Sequence, residues 1–143
     1  MIVGIIGRKQ SGKSTVAKLF KTENTAIVPM AEPLKAMLEA AGVPKSALYG
    51  TEEEKNTPLE ILGGKTGRFA MQTLGSEWGR DMIDVSLWVN MWKAKAKFLS
   101  EDGVDIVCDD IRRYDEAVAV EKMGGHLIMI TRASEQPVGS HLS

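Results

Sequence analysis

The sequence holds little of what builds disulfides, zinc clusters or membrane spans. Cys108 is the only cysteine among 143 residues, which excludes an internal disulfide and a zinc site made of several cysteines. No apolar run approaches the ~18 residues that a membrane-spanning helix needs, and residues 2–6 are too few for the core of a signal peptide. We therefore expect the chain to remain in a reducing cytoplasm and to make no membrane contact.

An excess of positive charge is also missing. The 18 lysines and arginines nearly balance 19 aspartates and glutamates, and the net charge is −1. A duplex-binding surface is usually basic, so nucleic acid is not the expected partner. The apolar share of 43% and the charged share of 26% are those of an ordinary globular protein, and the length predicts a single domain.

Short apolar segments alternate with segments of helical periodicity along the chain. The β-branched and apolar runs predict strands at residues 2–6, 25–28, 104–108 and 126–131. Apolar residues at i, i+3 and i+4 predict helices at residues 13–20, 32–41, 67–82, 86–100 and 114–123. This order predicts an α/β fold, a three-layer α/β/α arrangement with a central parallel sheet.

Residues 42–66 hold most of the turn signals, and we interpret them as a mobile surface insertion. The segment contains three consecutive glutamates, Glu52, Glu53 and Glu54. A metal site is one interpretation of these carboxylates. A solvated charged face is the preferred one, because no second cluster of metal ligands accompanies them.

One segment carries the strongest chemical signal. Residues 7–14 read Gly-Arg-Lys-Gln-Ser-Gly-Lys-Ser, which fits G-x-x-x-x-G-K-[ST] between a predicted strand and a predicted helix. The glycines let backbone amides wrap around phosphate oxygens. Lys13 would reach the β- and γ-phosphates of ATP, and Ser14 would place its hydroxyl on Mg²⁺. The full predicted ATP-binding set is Gly7, Lys9, Gln10, Ser11, Gly12, Lys13, Ser14 and Thr15.

Two aspartates follow the third predicted strand and should emerge at the carboxyl edge of the sheet, where ligands bind in open α/β folds. Asp109 and Asp110 would hold the hydrated Mg²⁺ together with Ser14. The alternative is that one of the pair only caps the following helix. Phosphoryl transfer also needs cations around the moving group, and the predicted catalytic set is Lys13, Asp110, Arg112 and Arg132.

Other candidate residues have simpler interpretations. Cys108 is expected to be a small buried hydrophobe rather than a nucleophile, since no histidine lies near it in the sequence. Trp78, Trp88 and Trp92 stand at helical spacing, which favours core packing, with nucleobase stacking as the alternative.

Three segments together resemble a known family. They are residues 68–81 (RFAMQTLGSEWGRD), residues 87–89 (LWV) and residues 108–116 (CDDIRRYDE). Their order and their amino-acid sequences resemble those of bacteriophage-type deoxynucleoside monophosphate kinases, relatives of adenylate kinase among the P-loop proteins. The resemblance runs from residue 2 to about residue 132 and includes AEPLK at residues 31–35. It implies transfer of the γ-phosphoryl group from Mg·ATP to a deoxynucleoside monophosphate.

The resemblance also implies how the chain is divided. Residues 1–30 and 86–132 would form the P-loop core, residues 31–85 a helical acceptor-binding insertion, and residues 133–143 a lid or tail. The acceptor would be faced by Arg68, Gln72 and Arg80, with Trp78 beside them. The lid over ATP would begin at Arg132. The family continues through a further strand and helix, so the chain resembles a shortened member, and His141 is either a lid residue or a tail residue. An exposed sheet edge would then allow a homodimer.

Rival interpretations use the same loop. Animal-type phosphomevalonate kinases resemble residues 110–113, but residues 72–80 favour a nucleotide acceptor. A GTP-dependent switch is disfavoured, because the sequence has no Asn-Lys-x-Asp signature. A nucleotide-binding relative without turnover is the third interpretation.

Overall fold

A computed structural model describes residues 1–8 and 11–131. The chain divides into two compact units, which we call unit 1, Met1–Met30 with the chain from Val89 onward, and unit 2, Ala31–Trp88. The strands are β1 (Ile2–Ile6), β2 (Thr25–Ile27), β3 (Asp105–Ile111) and β4 (His126–Met129). The α-helices are α1 (Lys13–Leu19), α2 (Glu32–Ala40), α3 (Lys45–Tyr49), α4 (Glu52–Lys55), α5 (Gly67–Thr73), α6 (Leu87–Glu101) and α7 (Tyr114–Lys122).

The four strands form one sheet in the order β2-β3-β1-β4, and every pairing is parallel. Parallel neighbours need crossover connections, which the intervening helices supply. The predicted α/β fold with a central parallel sheet is therefore confirmed. Within the described residues, no helix has the length and apolar character to cross a bilayer.

Helices cover both faces of the sheet in unit 1. Side chains alternate along a strand, so Ile2 and Ile6 pack on one face with residues of α6 and α7, while Val3 and Ile5 pack on the other with Ala17 of α1. Trp92 of α6 is 1% exposed, and its Nε1 donates to the Val28 carbonyl at 2.9 Å. This confirms the core interpretation of Trp92.

The pairing of strand β3 with β1 shifts register between Gly4 and Ile6. Gly4 of β1 pairs with Cys108, but Ile6 pairs with Ile111, so β3 holds one extra residue between these two positions. The prediction that the strand ends at residue 108 was wrong. Adjacent aspartates disfavour a regular strand, but a bulge accommodates them and redirects their side chains.

Residues 42–66 are more regular than a mobile surface insertion. They contain α3, α4 and a 3-10 turn at Glu60–Leu62, and they bury Val43, Ala47 and Leu48 in a small core. Thr51 caps α4 through a capping box, in which its Oγ1 accepts from the backbone N–H of Glu54 at 3.1 Å and the Glu54 carboxylate accepts from the Thr51 N–H at 3.0 Å. Turn residues here therefore connect short helices.

The single helix predicted over residues 67–82 changes type along its length. After α5 the chain continues as a π-helix at Leu74–Ile83. Gly75 and Gly79 face Trp88, which is 4% exposed and whose Nε1 donates to the Gly75 carbonyl at 2.9 Å. The core interpretation of Trp88 is therefore confirmed, and Gly79 makes room for its indole.

Candidate active site

The first residues after β1 accept hydrogen bonds from the side chain of Lys13. Lys13 is 8% exposed, and its Nζ donates to the Gly7 carbonyl at 2.6 Å and to the Arg8 carbonyl at 2.8 Å. Burial lowers the pKa of Lys13, and the charge of Arg112 lowers it further, whereas the charges of Asp110 and Asp109 raise it. The ammonium is thus bonded to two backbone carbonyls, attracted by the two aspartates and repelled by Arg112.

The loop also buries a hydroxyl that lacks a partner. Ser11 is 6% exposed, and its Oγ makes no hydrogen bond within the part of the chain that the structure describes. An unsatisfied buried polar group costs about 1–3 kcal/mol. A phosphate oxygen entering the loop would satisfy this hydroxyl, so the residues present fit a phosphate ligand.

Two glycines give the loop its shape. A Cβ at Gly7 would lie 2.5 Å from the Ser11 Oγ and 3.2 Å from both the Ile130 carbonyl oxygen and the Lys13 Cγ, so a larger residue there would displace its neighbours. Gly12 has φ +96°, a left-handed conformation that other residues rarely adopt, and it directs the chain into α1. Ser14 and Thr15 follow as exposed residues of the first helical turn. Lys9 and Gln10, also predicted for ATP, lie outside the described residues.

The two predicted aspartates of β3 lie close enough to Lys13 for their charges to act on its ammonium. Asp110 Oδ1 accepts from the backbone N–H of Met30 at 2.7 Å, and both Asp109 and Asp110 act electrostatically on Lys13. The N-cap of α7 is Arg113, so the alternative in which one of these aspartates caps this helix was wrong. Lys13, Arg112, Asp109 and Asp110 therefore form one charged cluster, which we call the loop cluster.

Sequence reasoning missed Glu116, which lies on the first turn of α7. It is 7% exposed, and its Oε1 accepts from the backbone N–H of Arg112 at 2.9 Å and of Arg113 at 2.8 Å. Burial raises the pKa of Glu116, and the Asp110 charge adds to this rise, while the two backbone hydrogen bonds oppose it. The glutamate three residues after the N-cap position, typical of half a capping box, was the available signal.

Cys108 is fully buried in the core and its thiol donates to Asp110 Oδ1 at 3.4 Å. Burial raises the pKa of this thiol well above its ordinary value, and the Asp110 charge contributes to the rise. A protonated, inaccessible sulfur is a poor nucleophile. The structure therefore confirms that Cys108 is a buried apolar residue.

The residues predicted for the acceptor lie in unit 2. Arg68, near the start of α5, forms an ion pair with Glu52 of α4, so one of the three glutamates has an arginine partner. Gln72 is exposed one turn after Arg68. Trp78 is half-buried and tilted against Trp88, with ring centroids 6.2 Å apart.

Two further predicted residues have less structural context. Arg80 is half-buried within the π-helix. Arg132 and His141 lie outside the described residues, as does the predicted lid or tail at residues 133–143.

The predicted metal ligands do not form a complete metal site by themselves. Residues 1–8 and 11–131 contain no group of three or more His, Cys, Asp or Glu side chains placed to hold a metal ion.

The comparisons with known proteins point in one direction. The chain is 30% identical, over an alignment of 144 positions, to a protein of Acanthamoeba polyphaga mimivirus named "Putative deoxynucleotide monophosphate kinase". The match covers 92% of this chain and 74% of the viral protein. No protein-family model matches the chain.

Proposed function

Because the chain belongs to the deoxynucleotide monophosphate kinase family, we propose that it transfers the γ-phosphoryl group of ATP to a deoxynucleoside monophosphate. The products would be ADP and the deoxynucleoside diphosphate. The proposal extends to P-loop chemistry of the phage type, with ATP and Mg²⁺ as the phosphoryl donor complex and the cytoplasm as the compartment.

The loop cluster, together with Ser11 and Gly7, is the observation that carries the proposal. The buried Lys13 ammonium and a Ser11 hydroxyl with no hydrogen bond among the described residues lie beside the Gly7 backbone, and the charges of Arg112, Asp109 and Asp110 act on Lys13. Preorganised cations and amides of this kind stabilise the charge that spreads over a transferring phosphoryl group. A simple structural turn would gain nothing from burying Lys13 and leaving the Ser11 hydroxyl unsatisfied.

The residues of the loop cluster take separate roles in this scheme. Lys13 exchanges the carbonyls of Gly7 and Arg8 for the β- and γ-phosphate oxygens. Ser14, Asp109 and Asp110 would hold Mg²⁺ together with the nucleotide itself, since residues 1–8 and 11–131 contain no group of three or more His, Cys, Asp or Glu side chains placed to hold the ion alone. When bound, the ion neutralises developing charge on the phosphates. Arg112 stabilises the equatorial oxygens of the transferring group.

The acceptor is proposed to bind within residues 31–85. Arg68 and Arg80 would pair with its phosphate, Gln72 would donate to or accept from its base, and Trp78 would pack beside the base. The acceptor phosphate is already ionised at neutral pH, so positioning rather than a strong base drives the transfer. Arg132 is proposed to add positive charge from the lid.

A coupled ADP-release assay tests the proposal. The panel is Mg·ATP with dGMP, dTMP, dCMP, dAMP or phosphomevalonate. We expect turnover with at least one deoxynucleotide. Lys13→Ala should lower kcat on the order of 10²-fold or more, since a positioned charge donor is lost. Lys18→Ala, which changes an exposed lysine of the same helix, should retain the wild-type rate.

Each other outcome points to a different conclusion. Turnover with phosphomevalonate alone would replace the acceptor class. ATP binding without turnover on any acceptor would indicate a nucleotide-binding relative that has lost catalysis. An unchanged rate in Lys13→Ala would contradict the proposed donor site.

A further inference from the structure

The carboxylate of Glu116 makes the capping-box hydrogen bond to the Arg113 N–H and a second one to the residue before it. It is 7% exposed, and a single oxygen, Oε1, receives the consecutive backbone N–H groups of Arg112 and Arg113 at 2.9 Å and 2.8 Å. Two hydrogen bonds to one fixed atom restrict the backbone of both residues. Glu116 therefore sets the path of the chain between the end of β3 and the start of α7.

The start of a helix can be capped without a buried carboxylate. Arg113 occupies the N-cap position with an extended backbone, φ −119° and ψ 151°, and an arginine side chain has no acceptor with which to cap. An exposed serine or aspartate at that position would close the helix without burying a charge. Instead the chain buries a carboxylate close enough to Asp110 for their charges to interact unfavourably. This cost suggests a requirement beyond helix capping.

The backbone that Glu116 restricts belongs to Arg112, one of the two cations of the loop cluster. Arg112 is exposed, and its guanidinium lies near enough to Lys13 that its charge lowers the pKa of the ammonium. Any change in the backbone at residues 112 and 113 would shift this guanidinium relative to Lys13. Displacements of about 1 Å in such positioned groups can reduce a rate about 10²-fold.

We propose that Glu116 is the positioning residue for Arg112, acting through the two backbone hydrogen bonds rather than through contact with a substrate. The inference rests on the proposed function, because Arg112 serves phosphoryl transfer in that scheme. The hydrogen-bond geometry, and not the negative charge, is the property that matters. Glutamine, which keeps an acceptor oxygen in the same place, should therefore replace glutamate.

Steady-state kinetics on the full chain test this assignment. Glu116→Ala is expected to lower kcat about 10- to 100-fold, with a KM for the acceptor that changes less than threefold, while Glu116→Gln retains kcat within about threefold of wild type. Glu121→Ala, an exposed glutamate on the same helix, is the matched control and should leave kcat unchanged. Circular dichroism and urea denaturation establish that each variant is folded at the assay temperature.

A double variant separates positioning from general destabilisation. If Glu116 acts through Arg112, adding Glu116→Ala to Arg112→Ala should lower kcat by less than a further twofold, because the group that it positions is already gone. A purely structural role predicts independent, multiplying losses. Such losses would overturn the proposal, as would an unchanged kcat in Glu116→Ala or a loss in Glu116→Gln equal to that in Glu116→Ala.

Failure of the proposed function has a different signature. If the wild-type chain transfers no phosphoryl group to any acceptor in the panel, the reaction that Glu116 serves disappears, and both proposals fall together. If the wild type turns over and only the Glu116 variants depart from expectation, the proposed function stands and this inference alone is refuted. If Glu116→Ala does not fold, Glu116→Gln and its double variant with Arg112→Ala still decide the outcome: a large loss in Glu116→Gln refutes the proposal, and retained kcat supports it.

Discussion

Replacing Gly79 with alanine is expected to destabilise unit 2, although alanine normally favours a helix. A Cβ at Gly79 would lie 2.6 Å from the Trp88 Nε1, 2.7 Å from Cζ2 and 2.8 Å from Cε2. All three distances are shorter than real Cβ contacts. The indole cannot yield easily, because Trp88 is 4% exposed and donates to the Gly75 carbonyl.

The magnitude follows from three opposing contributions. Overpacking a filled site costs about 1–3 kcal/mol, and displacing the indole hydrogen bond costs about 1 kcal/mol more. The helix propensity of alanine returns about 0.5–1 kcal/mol. The expected net loss in the free energy of unfolding is therefore about 1–3.5 kcal/mol.

Urea denaturation followed by tryptophan fluorescence measures this loss. A loss of about 2 kcal/mol lowers the midpoint by roughly 1 M at the usual slopes. Gly75→Ala is the matched control, since its Cβ would lie 3.6 Å from Leu34 Cδ2 and 4.0 Å from the Trp88 Nε1, both ordinary contacts. It should be as stable as wild type or more so. Equal midpoints for the two alanine variants would refute the packing argument.

Three further predictions follow from buried groups. Ser11→Ala should raise the free energy of unfolding of the nucleotide-free chain by about 1–3 kcal/mol, because it removes an unsatisfied hydroxyl, and should weaken ATP binding in calorimetry; lower stability would contradict this. Because burial raises the pKa of Glu116, its contribution to stability is fully present below the ordinary glutamate pKa of 4.5 and is lost as pH rises through the folded-state pKa. Glu116→Gln cannot ionise, so its free energy of unfolding should rise relative to that of wild type as pH increases from 4.5 through the folded-state pKa of Glu116. Denaturation at a series of pH values measures this difference, and a difference that stays constant with pH would contradict the raised pKa. Cys108 should react with a thiol reagent only after unfolding, and fast labelling of the folded chain would show that it is accessible.

The strand-loop-helix at the start of the chain could be predicted because its signals are local. An apolar run, spaced glycines and a following amphipathic segment each identify their own element. The relationship to nucleotide kinases was also predicted and is confirmed at the level of the family. The phage type, the acceptor and the roles of Arg68, Gln72 and Arg80 stay predictions.

What the sequence did not reveal depends on contacts between distant residues. The bulge at Asp109 and Asp110 arises from pairing with β1, about a hundred residues earlier. The π-helix has no separate propensity signal, and Gly79 is explained only by the indole of Trp88 packed against it. The ion pair of Arg68 with Glu52 joins two helices that the sequence does not show to be neighbours.

Glu116 illustrates the same limit at the site. Its position after Arg113 suggests a capping residue, but its burial and its interaction with Asp110 follow only from the folded chain. Local patterns therefore singled out residues 7–14 and the two aspartates, whereas the hydrogen bonds of Glu116 to the backbone of Arg112 and Arg113 required the structure.

Transfer of a labelled γ-phosphoryl group from ATP to a deoxynucleoside monophosphate tests the proposed activity directly. The wild-type chain is incubated with Mg²⁺, ATP labelled at the γ-phosphate and each deoxynucleoside monophosphate, and the products are separated by chromatography. We expect label to appear in a deoxynucleoside diphosphate and Lys13→Ala to abolish most of this transfer. Label that remains in ATP, or that is released only as inorganic phosphate with every acceptor, would contradict it.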